Sequence, residues 1–457
     1  MSSRALPLER GLPVPPPPRV RYGDIRHVPG KYGVPVFGTL PEALLNPLEF
    51  GRRMWSRYGP VHRFYASGCW CVQLMGREAN ELVLSDRQHI FSSYYGWQPV
   101  LGPYFGGGLL LMDFEEHLKD RRLIGSAFRG SALPAAITSF SELVSKHMSD
   151  WTKGQFDWHR GISSLLRDNA AVVFMCLSPG ERADEIGLAF EGLRKCTTAL
   201  LPSWAPFGKA SRALAARDTV HALLVEEVQR RRGSDADDLL SRLSNLEDTP
   251  GTYCSPAFVA KHMVFVLAAA HDTMVAALCS VAWHLSRNPR VQDRVAEELS
   301  QYRGSQPSGV RDQQATPFTE AVMKECLRLN APAPILWRRA LDSFRIYDTE
   351  VPAGTMVAVN PLVTHRDPAS FPDPDRFDPA RFLASDGEAN LRWAYIPFGG
   401  GAHSCLGLHY GYALMKVMLS RVLDEHRFYV NPEYVPRWNY WPYVHPRNGL
   451  PIELHRV

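Results

Sequence analysis

The sequence predicts a mainly α-helical protein with a small β-rich region, and three observations carry that expectation. Nine segments, near 115–130, 135–152, 161–177, 181–200, 208–232, 255–287, 290–302, 317–330 and 405–425, space their apolar residues as packed helices do. One of them contains HMVFVLAAAHDTMVAALCSVAWHL and would span on the order of 45 Å, enough to cross a large domain. Two other stretches, GPVHRFYASGCWCVQLMG and RIYDTEVPAGTMVAVN, read instead as strands folded about turns.

Taken in chain order, MSSRALPLER lacks the apolar core of a signal peptide, and PVPPPP at residues 13–18 is extended, polyproline-like chain. No apolar run of membrane-spanning length precedes the prolines, so no transmembrane segment is expected there. Residues 1–30 therefore form a proline-rich N-terminal arm. Residues 31–457 form a single domain, because no linker or internal repeat interrupts them. A composition of 45% hydrophobic and 21% charged residues is globular, and a net charge of +4 is too mild and dispersed for a nucleic-acid partner. The eight cysteines are scattered, which fits a reducing cytoplasm. Only Cys69 and Cys71 lie close; they cannot complete a four-ligand zinc site and read as strand residues pointing to one face.

Within DFEEHLKDRRLIGSAF, His117 and Arg121 stand four apart on one helix face. The preceding loop FSSYYGWQPVLGPYFGGGLLLM reads as a mobile wall over an apolar ligand, with Tyr95, Trp97, Tyr104 and Phe105 as candidate contacts, each also explicable as packing. The long apolar helix opens on a Ser255 cap followed by Pro256 and closes at Asn288-Pro289. Its middle carries His271, Asp272 and Thr273, which are costly there unless partnered or used. His271 can pair with Asp272, face the region around the 200–210 loop or be a satisfied core histidine. Downstream, Glu325 and Arg328 fall on one helical face. Alone that spacing reads as a solvated pair.

The final signal is FGGGAHSCLG, Phe398 to Gly407. Its glycines let backbone approach Cys405 so that amide N–H groups face the sulfur, and the helix behind it places the thiol at a positive dipole end. Cys405 is the leading metal-ligand residue, with His403 beside it.

These runs, in this order, resemble the cytochrome P-450 family of heme-thiolate monooxygenases. FGGGAHSCLG matches F-x-x-G-x-x-x-C-x-G at every fixed position, and Ala269-Ala270-His271-Asp272-Thr273 matches A-[A/G]-x-[D/E]-T. The resemblance covers essentially the whole chain beyond the arm and implies the cytochrome P-450 fold. It implies heme b with Cys405 as axial thiolate, and Phe398, Gly399 and Gly407 shaping the cysteine loop. It implies His117, Arg121, Arg339 of Trp337-Arg338-Arg339-Ala340, and His403 as propionate partners. Glu325, Arg328 and Arg381 of PARF would form a structural triad, with Arg376 as the other choice for its third member.

In the family, Thr273 and Asp272 would hold and relay protons during dioxygen cleavage; the plain alternative is that Thr273 back-bonds to its own helix. Ala269 and Ile335 should border the substrate pocket. Trp204, in an entrance loop at 200–210, would touch substrate or a membrane surface. The low polarity of these stretches points to a terpenoid, steroid or fatty acyl substrate. Because the chain ends about fifty residues after Cys405, electrons are expected from a separate ferredoxin-type donor with its reductase. The motifs look closer to the sterol-demethylase and retinoid-hydroxylase branches than to the camphor-hydroxylase branch. A peroxygenase or heme-thiolate isomerase, and a non-catalytic heme-binding or sensing protein, are the alternative readings.

Overall fold

The computed structural model describes residues 16–66, 68–128, 132–170, 181–194, 209–236, 238–301, 316–383 and 391–457. Local caps set the main helices. The Ser255 hydroxyl accepts from the Phe258 N–H and Pro256 takes the first position of Pro256–Arg287. Asn288 ends that helix, and Pro289 starts the next, Pro289–Ser300.

The core helix packs against Trp158–Asn169, Pro317–Leu329 and Leu408–Leu423. Leu278, Val281, Leu285, Val322, Leu327, Leu414 and Met418 meet there in one cluster with Trp158 and Phe140. A Leu-to-Ala truncation in such a cluster costs roughly 2–5 kcal/mol. A second cluster joins the N-terminal half of the core helix, through Val259, Met263 and Leu267, to Glu181–Arg194 and Lys209–Arg231.

The remaining expected helices appear as Phe114–Ala127 and Ala132–Trp151, within a few residues of the sequence boundaries. The ends expected at 171–177, 195–200 and 302, and the 200–208 part of the entrance loop, lie outside the described residues.

The β-rich region is a six-stranded sheet of β1 (Gly30–Lys31), β2 (Val61–Ala66), β3 (Cys69–Leu74), β4 (Phe91–Ser92), β5 (Leu336–Ala340) and β6 (Met356–Val359), in the order β1-β2-β3-β6-β5-β4. The expected hairpin is β2–β3, closing with Ala66 opposite Cys69. The second expected strand group divides between sheets. Phe344–Ile346 pairs with Thr349–Val351, whereas β6 lies between β3 and β5. The Pro352-Ala353-Gly354 turn makes the change, with Gly354 at φ +82°, a region open to glycine.

One segment departs from its reading as a loop. Ser93–Phe105 is a helix, capped by the Ser92 hydroxyl accepting from the Tyr95 N–H, although it contains Pro99 and Pro103. Packing overrides propensity here. A Cβ on Gly96 would lie 2.7 Å from the Arg338 Cα, so the glycine lets the helix rest directly on β5.

Candidate functional site

Gly399 (φ +68°) and Gly401 (φ +63°) fold the chain back before Cys405. A side chain at 401 would run into the Leu84 carbonyl, and one at 400 would meet the Trp393 ring at 2.6 Å. The loop is pinned where the Cys405 N–H donates to the Phe398 carbonyl at 2.9 Å. The following helix begins at Leu408 with Gly407 as its cap. Cys405 is exposed on one side and enclosed by protein on the others. Burial pushes its thiol up, while the Gly407 N–H and the Arg121 charge favour the thiolate.

Arg121 also donates to the Ser404 hydroxyl at 3.3 Å. Its helix neighbour His117 stacks on His403 with ring centroids 3.9 Å apart. His117 is buried, yet among the described residues neither of its ring nitrogens has a partner. Burial first, then Arg121 and Arg338, hold His117 down at about 4. Burial, Arg338, His117 and Arg121 hold His403 at about 2. Arg338 itself is buried and falls to about 10, with Asp113 and Asp86 opposing the fall.

Arg339 is not part of this group, which corrects its expected placement. Its Nε donates to the Gly354 carbonyl at 3.1 Å and its Nη2 to the Pro18 carbonyl at 3.2 Å. The cause is the period of two along β5: adjacent arginines point to opposite faces, and Arg338 takes the face shared with His117 and His403.

Ala269 is exposed in the middle of the core helix, whose flanking turns are buried. The Thr273 hydroxyl donates to the Ala269 carbonyl at 2.8 Å, the back-bonded arrangement. Asp272 turns the other way: its Oδ1 accepts from Arg194 at 2.6 Å and lies 2.9 Å from His271 Nδ1. His271 is thus paired with Asp272, and its Nε2 lies 3.2 Å from the Ser163 carbonyl. Burial works against the Asp272 charge, but the His271 hydrogen bond and the Arg194 guanidinium outweigh it and hold the carboxyl below its ordinary range.

Glu325 and Arg328 are fully buried and joined by two bonds, Nε to Oε2 at 2.7 Å and Nη2 to Oε1 at 2.8 Å. Arg328 also donates to the carbonyls of His365, Pro374 and Arg376. Arg381 Nε stands 3.5 Å from Glu325 Oε1, whereas the Arg376 side chain is exposed and lies 4.0 Å from Asp378. Arg381 is the third member.

The expected pocket residues separate. Tyr104 and Phe105 are buried in the second cluster, Phe105 edge-on to Phe265, so packing accounts for them. Tyr95 stands edge-on to Tyr94 and is half-buried, as is Ile335. Trp97 is half-buried, and among the described residues its indole N–H has no partner. Trp204 lies outside the described residues.

A supported thiol beside a largely enclosed cluster of two guanidinium groups and two imidazoles, in which the His117 nitrogens are left without partners, is a receptor for a planar metal cofactor bearing carboxylates. Heme fits it: a thiolate for iron, and unpaired His117 nitrogens with Arg121 and Arg338 for propionates. Arg338 and Arg194 escaped the sequence reading. For Arg338 the Arg-Arg dipeptide was visible but its facing was not; for Arg194 no sequence signal links it to Asp272.

Comparisons with known proteins agree. The family model for cytochrome P450 matches residues 28–442. Cytochrome P450 136 of Mycobacterium tuberculosis is 31% identical over 454 residues, covering 98% of this chain and 91% of the relative. A sterol 14alpha-demethylase of Mycolicibacterium vanbaalenii is 27% identical over 427 residues, covering 90% and 91%. The solved structure of retinoic acid bound cyanobacterial CYP120A1 superposes with a TM-score of 0.82 at 24% identity, covering 94% of this chain and 99% of the other. The chain belongs to the cytochrome P450 family. It is accordingly a heme-thiolate monooxygenase with the P450 fold.

Proposed function

We propose that this protein inserts one oxygen atom from dioxygen into an apolar small molecule, with Cys405 as the axial thiolate of its heme. The observation that carries the assignment is the Cys405 thiol, faced by the Gly407 N–H and Arg121, beside the unpaired ring nitrogens of His117. His117, Arg121, Arg338 and His403 hold the propionates. Bound heme supplies the redox chemistry that activates dioxygen. Thr273 presents a hydroxyl to the distal space at the exposed Ala269 turn and handles protons there. Asp272 anchors this stretch to Arg194.

The substrate class is a terpenoid, steroid or fatty acyl compound. Relatives named for sterol and abscisic acid oxidation support an apolar substrate. Electrons come from a separate ferredoxin-type donor with its reductase, the heme domain spans residues 31–457, and the cytoplasm is the working compartment. Among the described residues, the one helix apolar and long enough to cross a membrane is the mostly buried Pro256–Arg287.

The reduced, carbon-monoxide-bound spectrum tests the ligand assignment. A strongly red-shifted Soret band that disappears in Cys405→Ser is expected. A band typical of histidine ligation in the unaltered protein, or a red-shifted band retained in Cys405→Ser, would overturn it.

A further inference from the structure

On the face of the sheet opposite Arg338, two thiols stand unusually close. Cys69 and Cys71 lie two apart on β3 and so share a face, with their sulfurs 3.7 Å apart. In the parallel pairing of β3 with β6, Met356 lies directly beside Cys71 and projects to the same side. Met356, Met54, Trp337 and both cysteines belong to one side-chain cluster. Cys71 is buried and Cys69 half-buried, so the pair is reached from the Cys69 side. Arg339 is paired with Met356 across β5–β6 and therefore shares this face, where its charge favours a Cys69 thiolate. The hydrogen bond with Cys71 lowers the Cys69 thiol further, against burial.

Two thiolates bound to one metal at about 2.3 Å each stand about 3.8–4.0 Å apart in a tetrahedral or trigonal shell. The observed spacing needs little rearrangement to reach that. Among the described residues no three His, Cys, Asp or Glu side chains gather to hold a metal, so zinc, which wants four such ligands, is not served. Two thiolates with a thioether select a soft monovalent ion instead.

We propose that Cys69, Cys71 and Met356 form a binding site for Cu(I) or a similarly soft cation, separate from the heme pocket. Binding replaces two S–H bonds by two S–metal bonds and releases two protons to solvent, with no change in oxidation state. The resulting single negative charge on the metal and its two thiolates is balanced by Arg339.

The test titrates the reduced, heme-loaded protein with Cu(I) buffered by bicinchoninate. The unaltered protein should withdraw one equivalent that Cys69→Ser/Cys71→Ser does not, at equal heme content. Met356→Leu, which removes the thioether ligand, should bind at least about tenfold more weakly, no less than the loss of an outer-shell partner of a ligand costs. X-ray absorption should show a sulfur-only shell. Cys69→Ser alone, at the half-exposed position, should also abolish uptake and serves if the double variant fails to fold. Equal uptake by the unaltered and cysteine variants, a shell containing nitrogen or oxygen, or uptake that instead erases the carbon-monoxide spectrum through Cys405, would overturn the proposal.

Discussion

Arg194 Nη1 donates to Asp272 Oδ1 across 2.6 Å, tying the last residue of Glu181–Arg194 to the centre of the core helix. Both side chains are largely buried, and Asp272 is also engaged by His271. Replacing Arg194 by Leu leaves a buried carboxylate with one partner, which should cost about 3 kcal/mol. The sign with pH follows from the depressed Asp272 carboxyl. Its contribution is fully present above the unfolded-state value, about 4, and is lost as pH falls through the lower folded value. Urea unfolding should therefore show the variant's deficit at pH 7 and its shrinkage toward pH 3. A deficit unchanged across that range would remove charge pairing from the explanation.

Thr273 should matter to chemistry more than to stability. Its hydroxyl already bonds its own helix at Ala269, so Thr273→Ala should change unfolding free energy by only about 1 kcal/mol or less. Heme content should be unchanged, while the fraction of reducing equivalents recovered as product falls and peroxide rises. Unaltered coupling with a true substrate would exclude the hydroxyl from proton handling.

The contrast between these two neighbours shows what sequence carries and what it does not. The core helix, its caps and its acid-threonine pair are local facts, written in Ser255-Pro256, in the apolar run and in Asn288-Pro289. The cysteine loop is equally local, because glycines at positive φ and one backbone hydrogen bond build it. Contacts between distant segments are not local: Arg194 meets Asp272, and β5 meets the Ser93–Phe105 helix, only through the tertiary fold. That helix was hidden because Pro99, Pro103 and two glycines suppress its propensity while packing on β5 restores it. Facing on a two-residue period is similarly invisible when both residues are arginine.

Arg338 and Arg339 provide a paired test of that facing. Arg338 is buried beside His117 and His403, and Arg339 bonds Gly354 and Pro18 on the opposite side. Arg338→Leu should speed heme loss at least tenfold, the loss of about 1.4 kcal/mol expected at minimum for a charge-assisted contact. Arg339→Leu should leave the rate within about twofold. Transfer of heme to apomyoglobin measures both. The reverse ranking would restore the assignment made from the sequence.

His365 offers a pH test independent of heme. It lies beside the Glu325–Arg328 pair, its carbonyl accepting from Arg328 and its Nε2 accepting the Ile396 N–H at 2.8 Å. An acceptor at Nε2 requires a neutral ring there. Burial, reinforced by the Arg328 and Arg366 charges, lowers the imidazole to about 3. Below an unfolded-state value of about 6.5, the unfolded chain takes up a proton that the folded chain refuses. Stability should consequently fall as pH drops from about 6.5 toward 3, by up to about 1.4 kcal/mol per pH unit from this residue alone. His365→Gln keeps an acceptor for the Ile396 N–H but cannot ionise, so its stability between pH 6 and 4 should decline less steeply by about that amount. Other buried histidines titrate in both proteins and cancel in the difference. Parallel acid limbs for the two proteins would mean that His365 accepts a proton in the folded state, and that the arginines around it do not keep it neutral.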